Sequence, residues 1–450
     1  MTGAGPTVTT TPETDVVCLG ESMVTFLPSR PGPLADVPSF ERTIGGAESN
    51  VACALARAGH RARWVSRVGT DGFGDHLVRT IAAHGVDTTA VARDPERPTG
   101  IYFRTDGERA TGTEPAIGSE SATGSESATG PGSATGTEPA IGSESATGPG
   151  SATGTEPVTS PEPAPFSEVV YYRAGSAASA MSPANVPPHA ARAGHILHLT
   201  GITAALSADC LALLRTLTSA RPAAASGSEP GPLVSFDVNY RVGLWRTAPE
   251  PGGQVLGELA RHSDIVFVGE DEAAAAWGVT GGPDAVREAL PEPAVLVVKQ
   301  GSLGATAFVG ESAGVFAPAL RVDVVSPVGA GDAFAAGFLA GTLRGLPVRE
   351  RLRHGHLSAA AVLTAAGDLA APPAREAADR LVALDDAAWE ALRLGPGWSA
   401  GTPPRTLPGA RGPKTADDGQ SGEGQPGDGQ PGDDQRGDGQ SDGTQAEVGA

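Results

Sequence analysis

Residues 326–341 read SPVGAGDAFAAGFLAG, an extended approach that meets closely spaced glycines, one acid and an alanine-rich run. Gly329 and Gly331, either side of Ala330, let the backbone turn its amides inward without a Cβ clash. The DAFAAGFLAG run then begins a helix, and a helix N-terminus is an anion site. Asp332 would be out of place if anion binding were the sole purpose, because its carboxylate repels a phosphate. It fits if Asp332 takes a proton from a hydroxyl that attacks a phosphoryl group, while the amides stabilise the growing charge. On this motif alone, a role as a helix cap is equally open.

The elements that must position such a site alternate along the chain. VVCLG (16–20), ARWVSRVG (62–69), HILHLTGI (195–202), LVSFDVN (233–239), DIVFVG (264–269) and AVLVVKQG (294–301) are short strands of the buried kind. Between them ESNVACALARAG (48–59) and DHLVRTIAAHG (75–85) keep apolar residues at helical spacing and end in glycine. Alternation of this kind predicts an α/β fold, a doubly wound and mostly parallel sheet covered by helices on both faces. Ligands then bind beyond the carboxyl ends of the strands. GIYFR (100–104) and EVVYYR (168–173) depart from the pattern and read as a hairpin with an expanded turn.

That expansion is repetitive. GTEPAIGSESATG occurs at 112 and again at 136, and its Gly, Ser, Thr, Pro and Glu cannot bury enough apolar surface to offset the cost of ordering. The expected organisation is a disordered N-terminus (1–15), one folded domain in two pieces (16–106 and 166–396), a disordered insertion (107–165) and a disordered acidic tail (397–450). A formal charge of −20 over 450 residues argues against nucleic acid as a partner, since phosphates are neutralised by Lys and Arg. Cys18, Cys53 and Cys210 lack metal-ligand or redox spacing and read as buried thiols in a reducing compartment. No apolar run reaches the roughly 18 residues that span a bilayer. A cytoplasmic protein without a membrane partner is expected, and its oligomeric state, homo-oligomer or monomer, is left open.

GAGDAF with its upstream GGAESN resembles the ribokinase-like (PfkB) sugar kinases, and YYRAGSAASA, LHLTGITAALS and SFDVNYR are similar to the family's 2-keto-3-deoxygluconate kinases. The resemblance covers residues 16–104 and about 166–370 in consistent order. It implies a small β-sheet lid over a sugar and transfer of the γ-phosphoryl group of ATP to a sugar hydroxyl with Mg²⁺. Asp332 matches the catalytic base, with Gly329, Ala330 and Gly331 forming the anion hole. Gly46, Asn50, Tyr102, Tyr171, Arg173, Arg241 and Asp368 match substrate contacts. Asn239, Tyr240, Lys299, Gly301 and Gly304 match the nucleotide side, and Glu272 matches an acid that orders water around magnesium. Without the family, Tyr102, Tyr171 and Arg173 would read as surface strand residues, and Glu272 as a helix-dipole partner.

Three departures stand out. Ser326 opens the anion-hole motif where relatives carry an acid or threonine, which bears on a monovalent-cation site. His356 replaces an asparagine often found near the adenine, and Asp368 in GDLAAPP has lost the residues that often follow it. The leading reading is a kinase that makes 2-keto-3-deoxy-6-phosphogluconate. Fructose, ribose or a related ketose is the enzymatic alternative, and a non-catalytic sugar-binding scaffold the other.

Overall fold

The computed structural model describes residues 14–30, 32–104, 169–219, 231–246, 248, 250–400 and 405–406. The first strands are β1 (Thr14–Leu19), β2 (Met23–Pro28), β3 (Phe40–Gly45), β4 (Ala62–Gly69), β5 (Val91–Asp94), β6 (Ile101–Arg104) and β7 (Val169–Tyr172). They are followed by β8 (Gly194–Thr200), β9 (Leu233–Asp237), β10 (Ile265–Gly269), β11 (Val295–Lys299), β12 (Gly304–Val309) and β13 (Val315–Pro318). The helices that matter to the site are α1 (Ala47–Arg57), α2 (Gly72–Ala83), α3 (Glu270–Trp277), α4 (Ala330–Leu343), α5 (Val348–Leu363) and α6 (Arg375–Val382).

Nine strands form one sheet in the order β5-β4-β1-β8-β9-β10-β11-β12-β13. Pairing is parallel from β5 to β11, and the last two strands close the edge antiparallel. Alternate side chains enter opposite cores, as a doubly covered sheet requires. Val17, Leu19, Leu197, Leu199, Val266 and Val268 pack on one face. Val16, Cys18, Ile196, Ile265 and Phe267 pack on the other, against α1 and α4. All three cysteines are free and buried, as expected. β1 lies between β4 and β8, so the strand order reverses there and opens a crevice at the carboxyl ends.

A second sheet, β3-β2-β6-β7, stands apart from the first. β6 and β7 are antiparallel neighbours with Tyr102 opposite Tyr171, so the hairpin expectation holds at its two strands. Its turn, the repetitive insertion, lies outside the described residues.

Several boundaries differ from the sequence reading. The first strand begins at Thr14 rather than 16, because Asp15 is tied to Arg61 through a backbone bond of 2.8 Å and an ion pair of 2.6 Å. The expected tail starts too early, since Trp398 is buried beside Leu357 and Trp389 and a short turn of helix runs to Ala400. The rest of the expected disordered ends lies outside the described residues, apart from a short strand at Arg405–Thr406. HILHLTGI also stops being a strand at Thr200, whose hydroxyl accepts from the Ile202 amide at 3.2 Å and starts a short helix, Gly201–Ala205.

Candidate active site

The carboxyl ends of β1, β8, β9 and β11, the lid strands and the start of α4 enclose a cavity of about 450 Å³. Asp332 faces it from the first turn of α4. Gly329 occupies the cap position with φ 81°, a conformation suited to glycine, and a Cβ there would lie 2.5 Å from the Asp368 carbonyl oxygen. Asp332 is therefore not the cap. Its Oδ2 instead accepts from Asn50 Nδ2 at 2.9 Å, so the amide from α1 fixes the acid on α4. Burial raises the Asp332 pKa to about 7, assisted by the Asp237 charge and opposed by the Asn50 bond, Arg241 and Lys299. Near neutrality this carboxylate can accept a proton without holding it too tightly.

β9 and β11 supply an ion pair. Lys299 Nζ lies 3.0 and 3.1 Å from the Asp237 oxygens and 3.9 Å from Glu272 Oε2. Burial opposes its charge, but the two carboxylates outweigh that effect and raise its pKa. Glu272 also accepts from the Gly269 amide at 2.7 Å, capping α3, and comes within 3.6 Å of Arg241. Just beyond β9 the chain turns sharply at Asn239, whose φ of 40° is the only positive value of a non-glycine among the described residues. Strain of this kind is commonly stored at functional sites. Asn239 Oδ1 faces no hydrogen-bond partner although it is buried, which leaves an acceptor for a ligand.

The lid closes the other end of the cavity with paired charges. Residues two apart share a strand face, so Tyr102 and Arg104 both point inward from β6. Tyr102 donates to Asp368 Oδ2, and Arg104 Nη1 donates to Asp368 Oδ1 at 2.6 Å. Burial raises the Asp368 pKa against the influence of Arg104 and Tyr102. Across the sheet the Arg173 guanidinium lies 4.9 Å from the Tyr171 ring centroid, with its Nε 3.2 Å from Glu21 Oε2. Gly46 caps α1 where a Cβ would strike the Glu21 carbonyl oxygen at 2.4 Å, so the loop from β1 into the lid and the helix can meet only at a bare backbone.

The structure thus brings Asp332, Gly329, Gly331, Gly46, Asn50, Tyr102, Tyr171, Arg173, Arg241, Asp368, Asn239, Lys299 and Glu272 to one cavity. Ala330 opens the helix beside them. Tyr240 does not line it and packs against the core instead. Gly301 sits in the turn between β11 and β12 and Gly304 opens β12, both outside the cavity wall. His356 is buried in α5, 3.0 Å from the Ala317 carbonyl oxygen and edge-on to Phe334; burial lowers its pKa to about 4. It is a core residue in this chain. Ser326 is buried too, with its hydroxyl unpartnered.

Sequence reasoning missed Glu21, Arg104 and Asp237. Arg104 was accessible to it through the strand alternation with Tyr102. Asp237 precedes Asn239 at a strand end, a position that carries ligands in doubly wound folds. Glu21 follows β1 in an unremarked GES run, and nothing in its type or spacing marks it.

A buried acid held at a helix N-terminus, an amine between two carboxylates, and a lid lined with tyrosine and arginine are suited to a small hydroxylated substrate. The chain belongs to the pfkB family of carbohydrate kinases, whose model matches residues 13–121 and 167–375. It is 32% identical to the 2-dehydro-3-deoxygluconokinase of Bacillus subtilis over 80% of this chain and 93% of that protein. A solved structure of a PfkB protein from Polaromonas is 30% identical, with a TM-score of 0.59 over 81% of this chain and 99% of that one. A putative ribokinase from E. coli, solved with ATP and magnesium, shares the fold at 19% identity and a TM-score of 0.60, covering 82% of this chain and 98% of that one. The protein is a carbohydrate kinase with the ribokinase-like fold. Among the described residues no helix is long and apolar enough to cross a membrane.

Proposed function

We propose that this kinase transfers the γ-phosphoryl group of ATP to 2-keto-3-deoxygluconate, giving 2-keto-3-deoxy-6-phosphogluconate and ADP. The observation that carries the substrate class is that Arg173 and Arg241 line the same cavity as Asp332. A neutral sugar is held adequately by amides, hydroxyls and backbone groups, whereas a sugar acid brings a carboxylate that calls for forked cationic donors. The name of the Bacillus relative agrees with that preference.

In this reading Asp332 takes the proton of the acceptor hydroxyl as its oxygen attacks the γ-phosphorus, and the bond from that phosphorus to the β-phosphate oxygen breaks. The amides of Gly329, Ala330 and Gly331 meet the transferring group at the positive end of α4. Lys299, fixed by Asp237, lies near Gly331, where a Cβ would stand 3.8 Å from its Nζ, and it would offset phosphate charge as the bond breaks. Asn50 aims the base. Tyr102, Asp368 and Arg104 form a fixed wall against the sugar, and the lid excludes water.

Asp237 and Glu272 would face a magnesium ion through its water shell, since both Asp237 oxygens already lie 3.0 and 3.1 Å from Lys299, and magnesium usually keeps several waters beside its phosphate oxygens. Magnesium bound there with the nucleotide would supply charge neutralisation. The test is ATP-dependent ADP release against a panel of sugar acids, ketoses and aldoses. A higher kcat/KM for 2-keto-3-deoxygluconate than for fructose or ribose is expected, and a preference for a neutral sugar would transfer the assignment to a ketose or ribose kinase.

A further inference from the structure

The helices that present Asn50 and Asp332 to the sugar cavity carry a second cavity on their later turns. It also encloses about 450 Å³, between the end of α1, the middle of α4, α5 and the start of α6. Ala54, Ala336, Ala340, Leu357 and Pro372 give it a small, apolar wall. Five bases surround that wall: Arg57, His60, Arg344, His354 and Arg375.

The carboxylates near this set do not balance it. Asp379 takes Arg344 in a two-pronged pair at 2.9 and 2.8 Å and reaches His354 at 3.2 Å, so it is already occupied. Glu376 lines the cavity as well and forms no ion pair among the described residues, so three arginines face two carboxylates. Arg57 and Arg375 form no ion pair among the described residues, and Arg375 Nη2 donates only to the Ala58 carbonyl oxygen, at 3.4 Å. Burial lowers the pKa of both histidines, Asp15 and Asp379 oppose that fall and Arg344 and Arg375 add to it, so both rings are neutral near pH 7 and the positive charge of the wall rests on its arginines. A concave, partly apolar surface with an excess of one sign concentrates counter-ions. Guanidinium forks match phosphate oxygens, which they bind in pairs.

We propose that this cavity is a second ligand site, which takes a small phosphate-bearing metabolite with its dianion between Arg57 and Arg375 and its apolar body on the alanine wall. Nothing in the phosphoryl-transfer reading uses these residues. A narrow seam of about 10 Å³ runs from the second cavity toward the first. Ala54, Ser358 and Pro372 line it and the second cavity, while Asn50, Gly329 and Asp368 line it and the sugar cavity. Because α1 and α4 span both cavities as stiff rods, an occupant that draws Arg57 of α1 toward α6 would bear on the Asn50–Asp332 hydrogen bond at the other end.

The experiment is calorimetric titration of the full chain with inorganic phosphate and with methyl phosphate, at ionic strength held constant with chloride. Three variants accompany the wild type: Arg57→Ala/Arg375→Ala, Arg57→Lys/Arg375→Lys, and Lys299→Met in the catalytic cavity. The alanine pair should weaken binding by about tenfold to a hundredfold, the loss of charge-assisted hydrogen bonds. The lysine pair should restore part of it, and Lys299→Met should leave it intact. Methyl phosphate should bind more tightly than inorganic phosphate, because only it reaches the apolar wall. Absence of binding in the wild type, binding that survives the alanine pair, or binding that disappears only with Lys299→Met would overturn the site. Equal or weaker binding of methyl phosphate would reduce it to a bare phosphate site. Saturating methyl phosphate should also change ADP release in the wild type and not in the alanine pair; unchanged release in both would overturn the coupling.

Discussion

The two ends of the sugar cavity treat charge in opposite ways. At the lid, Arg104 is matched by Asp368 and Arg173 by Glu21, each pair nearly dry. At the start of α4, Asp332 is held by a neutral amide and faces no cation within ion-pair distance among the described residues. Burial raises the pKa of Asp368 as well, but there Arg104 and Tyr102 oppose the rise and fix the carboxylate against the lid. A buried acid held only by an amide has its pKa lifted into the range where a proton can come and go. In the proposed reaction the lid end holds a shape, and the helix end moves a proton.

The largest effect expected from this contrast is at Asp332. Asp332→Asn keeps the Asn50 contact and removes the base, so turnover should fall by roughly 10² to 10⁴ while folding and ATP binding remain. Turnover close to wild type would end the assignment, and a large drop in melting temperature would make Asp332 structural. The wild-type kcat/KM should also depend on pH in one direction. The base works only when deprotonated, so activity should be lost as pH falls through about 7, the value to which burial raises this acid. A flat profile from pH 6 to 8 would show that Asp332 does not limit the reaction.

Breaking the lid end should cost stability before chemistry. Arg104→Met leaves the Asp368 carboxylate buried without its cation, a change that typically costs about 3–5 kcal/mol. Denaturant unfolding at neutral pH measures this. Pairing it with Asp368→Asn should recover a large part, since the stranded charge is then gone. A loss below about 1 kcal/mol in the single variant would mean that water reaches Asp368 and that the wall is less rigid than its contacts indicate.

Much of this arrangement is legible in the sequence, for identifiable reasons. Buried strands such as ARWVSRVG and DIVFVG have apolar, β-rich character at a length that only strands use, and the structure places them at Ala62–Gly69 and Ile265–Gly269. Asp332 is legible because an acid inside a glycine-turned helix start is chemically odd. The amide that orients it is legible as a residue but not as a partner, since Asn50 and Asp332 are 282 positions apart and no local pattern links them. The Arg104–Asp368 and Arg173–Glu21 pairs fail to show for the same reason, each joining distant segments through folding alone. The strand ends at Thr200 and Asp237 are less legible because Ile202 and Val238 beyond them keep β-like types while a threonine cap and a left-handed asparagine turn the chain away.

The arginines separate the lid from the helix end more finely. Glu21 already matches Arg173, whereas Arg241 is 52% exposed and only loosely near Glu272 at 3.6 Å. Arg241 is therefore the freer cation for an incoming carboxylate. Arg241→Ala should lower kcat/KM for a sugar acid by the worth of one or two charge-assisted hydrogen bonds, each about 1.5–3 kcal/mol, while hardly affecting a neutral sugar. Arg173→Ala should affect acid and neutral sugar more evenly, because it also removes the cation beside Glu21 and loosens the Tyr171 stack. Equal losses on both substrates in both variants would remove the charge-based argument for a sugar acid and leave a general sugar kinase.

The smallest expected effect tests whether a raised pKa alone makes a base. Glu48 follows the GGA turn of α1, and burial raises its pKa to about 7, against the hydroxyl bonds from Thr203 at 2.6 Å and Thr200 at 2.8 Å. It has the same acidity as Asp332 but does not line the sugar cavity and is fully buried. A group whose folded pKa lies above its unfolded value binds the extra proton in the folded state. Its stabilising contribution is present below the unfolded value and is lost as pH rises through the folded one. Wild-type stability should therefore decline by about 1.4 kcal/mol per pH unit on this account as pH approaches 7, and level off above it. Glu48→Gln keeps an acceptor for the two threonines and removes the titration, so that share of the decline should vanish while the pH dependence of kcat/KM stays. If the variant shifts the activity profile and leaves the stability profile alone, proton transfer passes through Glu48, and the division between charges that hold shape and charges that do chemistry does not follow the cavity wall.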